Sequence, residues 1–288
     1  MRSISIVMAV YNGEPYIVEQ LEALTAQSYH GPWELILVDN RSTDGSVECA
    51  RQFSTRLPNL RIIDAHAKAG RCFARNVGVG HASGDYVLFL DQDDRVAPLW
   101  LEAMARAAET ADAIGGNNIH FSVDADGTER VTKPPYQAHP THGLNFLPSI
   151  TGGNSGMRKS LFFELGGFDE RYPSGEDVEL YWRAMLAGHE VKFVADAMLE
   201  YRLRTGRRAI LKRTVRDASV YPLLYREFRS AGMPRRSTRE AMRSWAHLVR
   251  VAPRSLIATP EARDQWLNQL ALLWGRVRGS IRYGAVYL

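Results

Sequence analysis

The sequence predicts an α/β protein: a single Rossmann-like mixed, mostly parallel sheet flanked by helices, with an α-helical C-terminal tail. Three observations lead there. Apolar, β-prone runs alternate with helix-period segments across the first hundred residues, and the short polar turns between them imply right-handed crossovers. The run Tyr86-Val87-Leu88-Phe89-Leu90 is apolar throughout, which fits a strand buried on both faces, because a face in water would demand alternation. From Arg202 to Leu288 the chain reads as helices only.

The elements follow in order. Ile4 to Val10 is a first strand closed by Tyr11-Asn12-Gly13, and Pro15 to Gln27 an amphipathic helix through Ile17, Leu21 and Leu24. Trp33 to Val38 is a second strand ending at Asp39 and a polar turn in which Asp44 or Ser46 can cap a helix toward Phe53. Leu60 to Asp64 makes a third strand, and Cys72 to Ala82 a helix that follows Lys68-Ala69-Gly70-Arg71. Ser83-Gly84-Asp85 then turns into the Tyr86 strand. Beyond a helix from Leu99 to Thr110 the pattern becomes more antiparallel: a strand from Ile114 to Val123, a turn at Asp124 to Gly127, and a return from Thr128 to Thr132. Lys133 to Pro148, with four prolines, reads as an irregular loop, and its His139 and His142 as solvated rather than metal-binding. Thr151 to Gly156 reads as a flexible backbone segment, followed by a short helix from Lys159 and a helix over 178–185 stopped by Gly188. The tail helices are expected to break near Pro234 and at Pro253 and Pro260. Leu267 to Val277 is amphipathic, with Arg276, Arg278 and Arg282 on or near its polar side, a pattern that serves either core packing or docking at a membrane interface.

With 288 residues, 45% of them hydrophobic and 24% charged, the chain can bury one sizeable core, as one large domain or a domain with an appendage. Lys and Arg exceed Asp and Glu by 36 − 32 = +4, and the excess lies in the last third, which suggests an anionic neighbour for the tail, a membrane surface or a polyanion. Nucleic acid is disfavoured, since the aromatics of the tail form no stacking platform. Cys49 and Cys72 have no metal-ligand spacing and suggest no disulfide framework, which points to a reducing cytosol. No stretch reads as a signal peptide or a membrane span. The expected location is cytoplasmic, with peripheral contact at the cytoplasmic membrane face through the Arg-rich tail.

Chemistry concentrates where the Tyr86 strand ends, in Asp91-Gln92-Asp93-Asp94. Three carboxylates within four positions repel one another unless a cation or a set of donors holds them ionised, and a divalent metal is the economical cation. A solvated turn with Asp94 as the cap of the next helix is the alternative, and the cap can account for Asp94 in either case. Tyr11-Asn12, Asp39 and Asp91 to Asp94 all fall at strand ends on one sheet edge, where parallel sheets bind ligands. No G-x-G-x-x-G and no Walker-type G-K-[ST] is present to cradle phosphates, so any phosphate charge must be met by metal and Arg. The helix after Gly175 opens with Glu176, Asp177 and Glu179, which either complement its dipole or aim a carboxylate into the site.

Over residues 1 to about 205 the chain resembles the family 2 inverting glycosyltransferases with the GT-A fold. The matching parts are Val10-Tyr11-Asn12-Gly13, Val38-Asp39-Asn40 with Ser42-Thr43-Asp44-Gly45-Ser46, Ala74-Arg75-Asn76, Gly84-Asp85-Tyr86, Leu90-Asp91-Gln92-Asp93-Asp94, Gly166-Gly167-Phe168-Asp169-Glu170 and Gly175-Glu176-Asp177-Val178-Glu179-Leu180. Each is weak alone, and together in this order they are specific. The resemblance implies a catalytic domain over 1–205, with a nucleotide-binding half at 1–98 and an acceptor and catalytic half at 99–205, and a helical extension at 206–288. It places Ala9, Tyr11, Asp39, Arg71, Asp91 and Gln92 at the nucleotide sugar, with Tyr11 and Asp39 at the base. Asp91 and Asp93 match the D-x-D pair, one at the ribose and one at the metal, and both are candidate ligands for Mn²⁺ or Mg²⁺. Asp177 matches the general base, and Gly153, Asn154, Glu176 and Trp182 fall on the acceptor side. The implied donor is a nucleoside diphosphate sugar, with UDP favoured over dTDP and GDP, and the acceptor a glycan, a lipid-linked or a small molecule. Two departures stand out. Where some members carry a metal-binding His, this chain has Tyr201-Arg202-Leu203-Arg204-Thr205-Gly206-Arg207, and the Q-x-x-R-W of processive members is absent.

Two other function classes share parts of the pattern. Nucleotidyltransferases that make sugar nucleotides share the α/β architecture and metal carboxylates, but open on a Gly-rich, basic phosphate loop, which Ala9-Val10-Tyr11-Asn12 is not. An inactive sugar-nucleotide-binding protein should have lost an acid from the D-x-D or Glu-Asp clusters, and both are intact.

Overall fold

The computed structural model describes residues 2–124, 126–136, 144–257 and 259–288, with backbone alone at 254–256. Two compact units emerge: Met1–Pro140, Pro148–Arg171 and Glu176–Leu203 form the first, and Thr141–Leu147, Tyr172–Gly175 and Arg204–Leu288 the second. His139 and His142 lie outside the described residues.

In the first unit the chain runs β1 (Ile4–Val10), α1 (Ile17–Thr25), β2 (Trp33–Asp39), α2 (Ser46–Arg51), β3 (Leu60–Asp64), α3 (Arg71–His81), β4 (Tyr86–Asp91), β5 (Arg95–Val96) and α4 (Trp100–Ala108). It continues through β6 (Ala113–Val123), β7 (Glu129–Lys133), β8 (Asn154–Arg158), α5 (Lys159–Glu164), α6 (Glu176–Leu186) and β9 (Val191–Arg202). Among the described residues these nine strands form one sheet in the order β3-β2-β1-β4-β8-β6-β9-β5, with β7 paired to β6. The first four are parallel neighbours, as the crossover pattern requires. Ile4, Ile6, Met8 and Val10 of β1 point into a core shared with α1 and α4, while Val7 joins Val87 and Phe89 in a second core with Phe162, Leu180 and Tyr181. Helices thus cover both faces, and β1, apart from Ser5, and β4, up to Asp91, are apolar because neither face meets water.

Three elements differ from expectation. Thr151 to Gly156, expected to be flexible, instead leads into β8, a buried strand wedged antiparallel between β4 and β6. Its first three residues are small or polar rather than β-prone, so hydrogen bonds hold them while Met157 alone of the strand enters the apolar core. Asn154 is fully buried; its Oδ1 accepts from Trp100 Nε1 at 2.7 Å, and its Nδ2 donates toward the Asn117 carbonyl and Asn118 Oδ1, each at 2.9 Å. Strand β9 has no counterpart in the sequence reading, because its apolar residues lose alternation at Ala195-Asp196, beside a register shift at Gly116 and Asn117 of β6. Asp94 does not cap α4, which starts six residues later without any side-chain cap.

In the second unit α7 (Arg207–Ala218), α8 (Tyr221–Phe228), α9 (Thr238–Ile257) and α10 (Pro260–Tyr283) follow a single pattern of helix and short link. Pro260 begins α10 behind the cap of Thr259, whose hydroxyl accepts from Ala262 N–H. Pro253 does not break the chain as expected and lies inside α9, where its exposed position lets water meet the carbonyl that loses its partner. On α10 the core use of the amphipathic pattern prevails: Leu273 is buried, and Gly275 and Gly279 bring the helix against the backbone at Val215 and Ser219. No helix among the described residues is long and apolar enough to cross a membrane.

Replacing Asn154 with Ala leaves Trp100 Nε1 and the Asn117 carbonyl without their partner in a dry site, at about 1–3 kcal/mol for each group. The expected outcome is a fall of several kcal/mol in unfolding free energy by urea titration, and a change below 0.5 kcal/mol rejects Asn154 as the pin of β8.

Candidate active site

Strand β1 lies between β2 and β4, with Val10 opposite Asp39 and Ala9 opposite Asp91. The polar strand ends therefore stand side by side on one edge, as expected. The chain leaves β1 on the β2 side and returns on the β4 side, so the β1/β4 gap is the reversal point at which parallel sheets open a crevice. Gln92 spans that gap: its Oε1 accepts from Tyr11 N–H and its Nε2 donates to the Tyr11 carbonyl, both at 2.9 Å. The amide is spent on backbone at both ends, so Gln92 acts here as a brace, whereas the Tyr11 ring is 60% exposed at the rim. Ala9, half-buried, sits beside Asp91 within β1.

Asp39 is 6% exposed; its Oδ1 accepts from Ser42 N–H at 3.2 Å, and its Oδ2 meets the ring Nε2 of His66. The neighbouring Asn40 holds the loop before α3, donating to the carbonyls of Ala65 and Lys68 and accepting from Gly70 N–H at 2.7 Å. That loop delivers Arg71 and, one turn later on the same face, Arg75. Arg71 Nε lies 2.6 Å from Glu176 Oε1. The Arg75 side chain is 1% exposed, binding Asp91 Oδ1 at 2.6 Å and Glu176 Oε1 at 3.1 Å, with its guanidinium over the Phe168 ring. Glu176 is thus a buried counter-ion of two guanidiniums rather than a residue open to an acceptor.

Asp177 begins α6 beside it. Its Oδ2 accepts from Gly152 N–H at 2.7 Å and its Oδ1 from Val178 N–H at 2.9 Å. Burial pushes its pKa up and the Glu176 charge adds to that, while Arg71 and the two N–H donors pull against them. Between Asp177 and Asp91 runs the Gly152-Gly153 step. A Cβ on Gly152 would lie 3.1 Å from Asp177 Oδ2, and one on Gly153 2.7 Å from Asp91 Oδ2, so bare backbone is what lets the two acids face the same strand entrance. Asn154 and Trp182, expected on the acceptor side, are both fully buried, with Trp182 Nε1 donating to the Pro148 carbonyl at 2.9 Å. They shape backbone and present no side chain to a ligand.

At the tip, Asp91, Asp93 and Asp94 each bring a carboxylate oxygen within 4.8 Å of the others. Asp94 is 2% exposed; its Oδ1 accepts from Arg202 N–H at 2.9 Å, and its buried Oδ2 has no hydrogen-bond partner among the described residues. Burial and the charges of Asp93 and Asp91 hold its pKa well above the ordinary carboxylate range. A buried, unpartnered oxygen in an all-oxygen acidic set fits a hard divalent cation such as Mg²⁺ or Mn²⁺. Buried Gln20 fixes this turn from behind, donating to the Asp91 carbonyl and accepting from Val96 N–H. His66 and Gln20 were not singled out by sequence; Arg75 and Arg202 fell within quoted stretches without a role of their own, and Asp94 was read within the acidic cluster but not as one of its two metal ligands.

The sequence profile described as Glycosyl transferase family 2 matches residues 5–166, more than half of the chain. Glycosyltransferase AglE of Haloferax volcanii is 32% identical over 203 residues, which are 68% of this chain and 65% of AglE. The chain spans smaller shares, 23% and 52%, of two further bacterial relatives. Among solved structures, the mannosyltransferase PcManGT from Pyrobaculum calidifontis, in complex with GDP-Man and Mn²⁺, superposes with a TM-score of 0.65 at 18% identity over 96% of this chain and 87% of that one. S. aureus TarS 1–349 in complex with UDP gives 0.55 at 19% identity, over 99% and 93%. At these identities the likeness establishes the fold, which is GT-A, and the profile match establishes the lineage: the chain belongs to family 2 of the glycosyltransferases.

Proposed function

We propose that this glycosyltransferase moves a sugar, with inversion, from a nucleoside diphosphate sugar to an acceptor hydroxyl, using a divalent metal held by Asp91, Asp93 and Asp94 and Asp177 as general base. The observation that carries it is the Gly152-Gly153 step, which leaves Asp177 on one side and Asp91 of the acidic triad on the other. When bound, the metal supplies positive charge against the diphosphate of the donor. The chain does the rest. Asp39 accepts a base N–H once His66 yields that oxygen, Tyr11 offers its ring to the base, and Arg71 adds charge near the phosphates. The acceptor oxygen attacks the anomeric carbon as the bond to the diphosphate oxygen breaks, and its proton passes to Asp177. A single displacement of this kind inverts the centre.

Solved relatives of the fold carry GDP-Man or UDP, which supports a nucleotide-sugar donor. A UDP-sugar is the favoured donor, with dTDP- and GDP-sugars as alternatives, and the acceptor class is a glycan, a lipid-linked or a small molecule. Residues 1–205 form the catalytic domain in this reading, 206–288 a helical extension, and the setting is cytoplasmic.

Asp93→Ala should abolish the metal dependence of UDP binding in calorimetry, lowering affinity with Mn²⁺ by at least about 10- to 100-fold, because the acidic tip and the diphosphate repel without a cation between them. Metal-dependent binding as tight as in the parent rejects Asp93 as a ligand.

Asp177→Asn keeps shape and loses the proton acceptor, so transfer should fall about 10²- to 10⁴-fold while donor affinity holds. Because the base works only when ionised and its pKa is raised, turnover falls as pH drops through that value, with the acidic limb above the ordinary aspartate value of about 3.9. Glu176→Gln should instead reduce stability, by uncoupling Arg71 and Arg75. If Glu176→Gln loses the acidic limb and Asp177→Asn retains it, the base is Glu176.

A further inference from the structure

Helix α9 is divided lengthwise into three sectors. One is packed: Ala241 and Leu248 are buried, and Trp266 of α10 donates its Nε1 to the Leu248 carbonyl at 2.9 Å. A second is apolar and open to solvent. Met242, Val249 and Ile257 are 65%, 70% and 86% exposed, with exposed Ala246 and Pro253 between them. At 100° per residue these five positions fall within an arc of about 80°, a continuous stripe along most of the helix rather than scattered apolar residues. The third sector is basic: Arg239, Arg243 and Arg250, all exposed, fall within about 40° along one flank of the stripe. Over Thr238–Ile257 the sequence holds four Arg against one Glu.

We propose that this face of α9 is a docking surface for an anionic lipid bilayer, the helix lying in the interfacial plane. The apolar stripe enters the boundary between headgroups and acyl chains, and the arginines beside it reach lipid phosphates while their stems cover apolar surface. Charge complementarity selects this occupant. A second copy of the same face would set arginine rows against each other, and a neutral apolar partner would leave them without anions. The packed sector is already satisfied by α10, so docking exposes nothing and unfolds nothing. Membrane contact then falls on α9 rather than on Leu267 to Val277, where Ala271 and Leu273 are buried, Gly275 packs on Val215 and Trp274 is 54% exposed, and it does not rest on the catalytic reading.

The test is co-sedimentation of the full chain with phosphatidylcholine vesicles and with vesicles containing 30% phosphatidylglycerol, at low and high salt. Binding is expected to the anionic vesicles alone and to weaken with salt. Arg239→Glu, Arg243→Glu and Arg250→Glu together should lower it about 100-fold, Val249→Asp about 10-fold, with unchanged far-UV circular dichroism and unchanged UDP binding. Replacing the same three arginines with Lys should preserve it. Absence of binding to anionic vesicles, equal binding to neutral ones, or variants that bind like the parent overturns the proposal. So does a dimer in sedimentation equilibrium that Val249→Asp dissociates, since that assigns the stripe to a second copy.

Discussion

One buried guanidinium sets the terms for the whole site. Arg75 touches Asp91 at the end of β4 and Glu176 at the start of α6, two elements far apart in sequence, and has almost no access to water. Removing one partner from such a buried pair typically costs about 3–5 kcal/mol, because the charge left behind has no compensation. The guanidinium can stay only while both acids stay, which ties the strand carrying the acidic tip to the helix carrying Asp177. Phe168 lies against its flat face and is itself fixed by Asn76, whose amide pairs with the Phe168 backbone in both directions at 2.9 Å. The Ala74-Arg75-Asn76 and Gly166-to-Glu170 stretches are therefore two sides of one clamp.

The sheet order then decides what that clamp can do. Because β8 inserts between β4 and β6, the backbone entering it passes directly between Asp91 and Asp177. Any side chain at Gly152 or Gly153 would fill the space that separates the two acids. β8 in turn depends on Asn154, so the packing of a central strand and the spacing of the acids are fixed by adjacent residues of one short segment.

How much of this was legible in sequence follows from the kind of force involved. Strands β1, β2 and β4 could be read because burial on both faces writes itself as largely apolar runs, and β3 because a short apolar stretch follows the helix after β2. The acidic tip was legible for the opposite reason, since crowded carboxylates after such a run are costly without a purpose. β8 was illegible because Asn154-Ser155-Gly156 is held by specific hydrogen bonds, and β9 because a register shift interrupts its alternation. The site divides along the same line. Asp39, Asp91, Asp93 and Asp177 sit at element ends, where local pattern points to them, whereas the pairing of Arg75 with Glu176 and of Asp94 with Arg202 joins groups a hundred residues apart.

Arg202 shows how such distance changes the meaning of a residue. It stands in the region where some family members carry a metal-binding histidine, and a guanidinium has no lone pair to give a cation. Its contribution is made from outside: its backbone N–H holds Asp94 Oδ1, its Nε donates to the Asp93 carbonyl at 3.2 Å, and its Nη2 is anchored on Glu19. The guanidinium also lies over Phe121, 4.7 Å from the ring centroid, as does that of Arg95 from its own salt bridges to Glu129 and Glu200. A cation placed this way neutralises part of the field of the acidic turn without occupying the space between the carboxylates. Among the described residues Asp94 then keeps one oxygen buried and without a hydrogen-bond partner, and it is the carboxylates rather than Arg202 that have lone pairs to offer a cation.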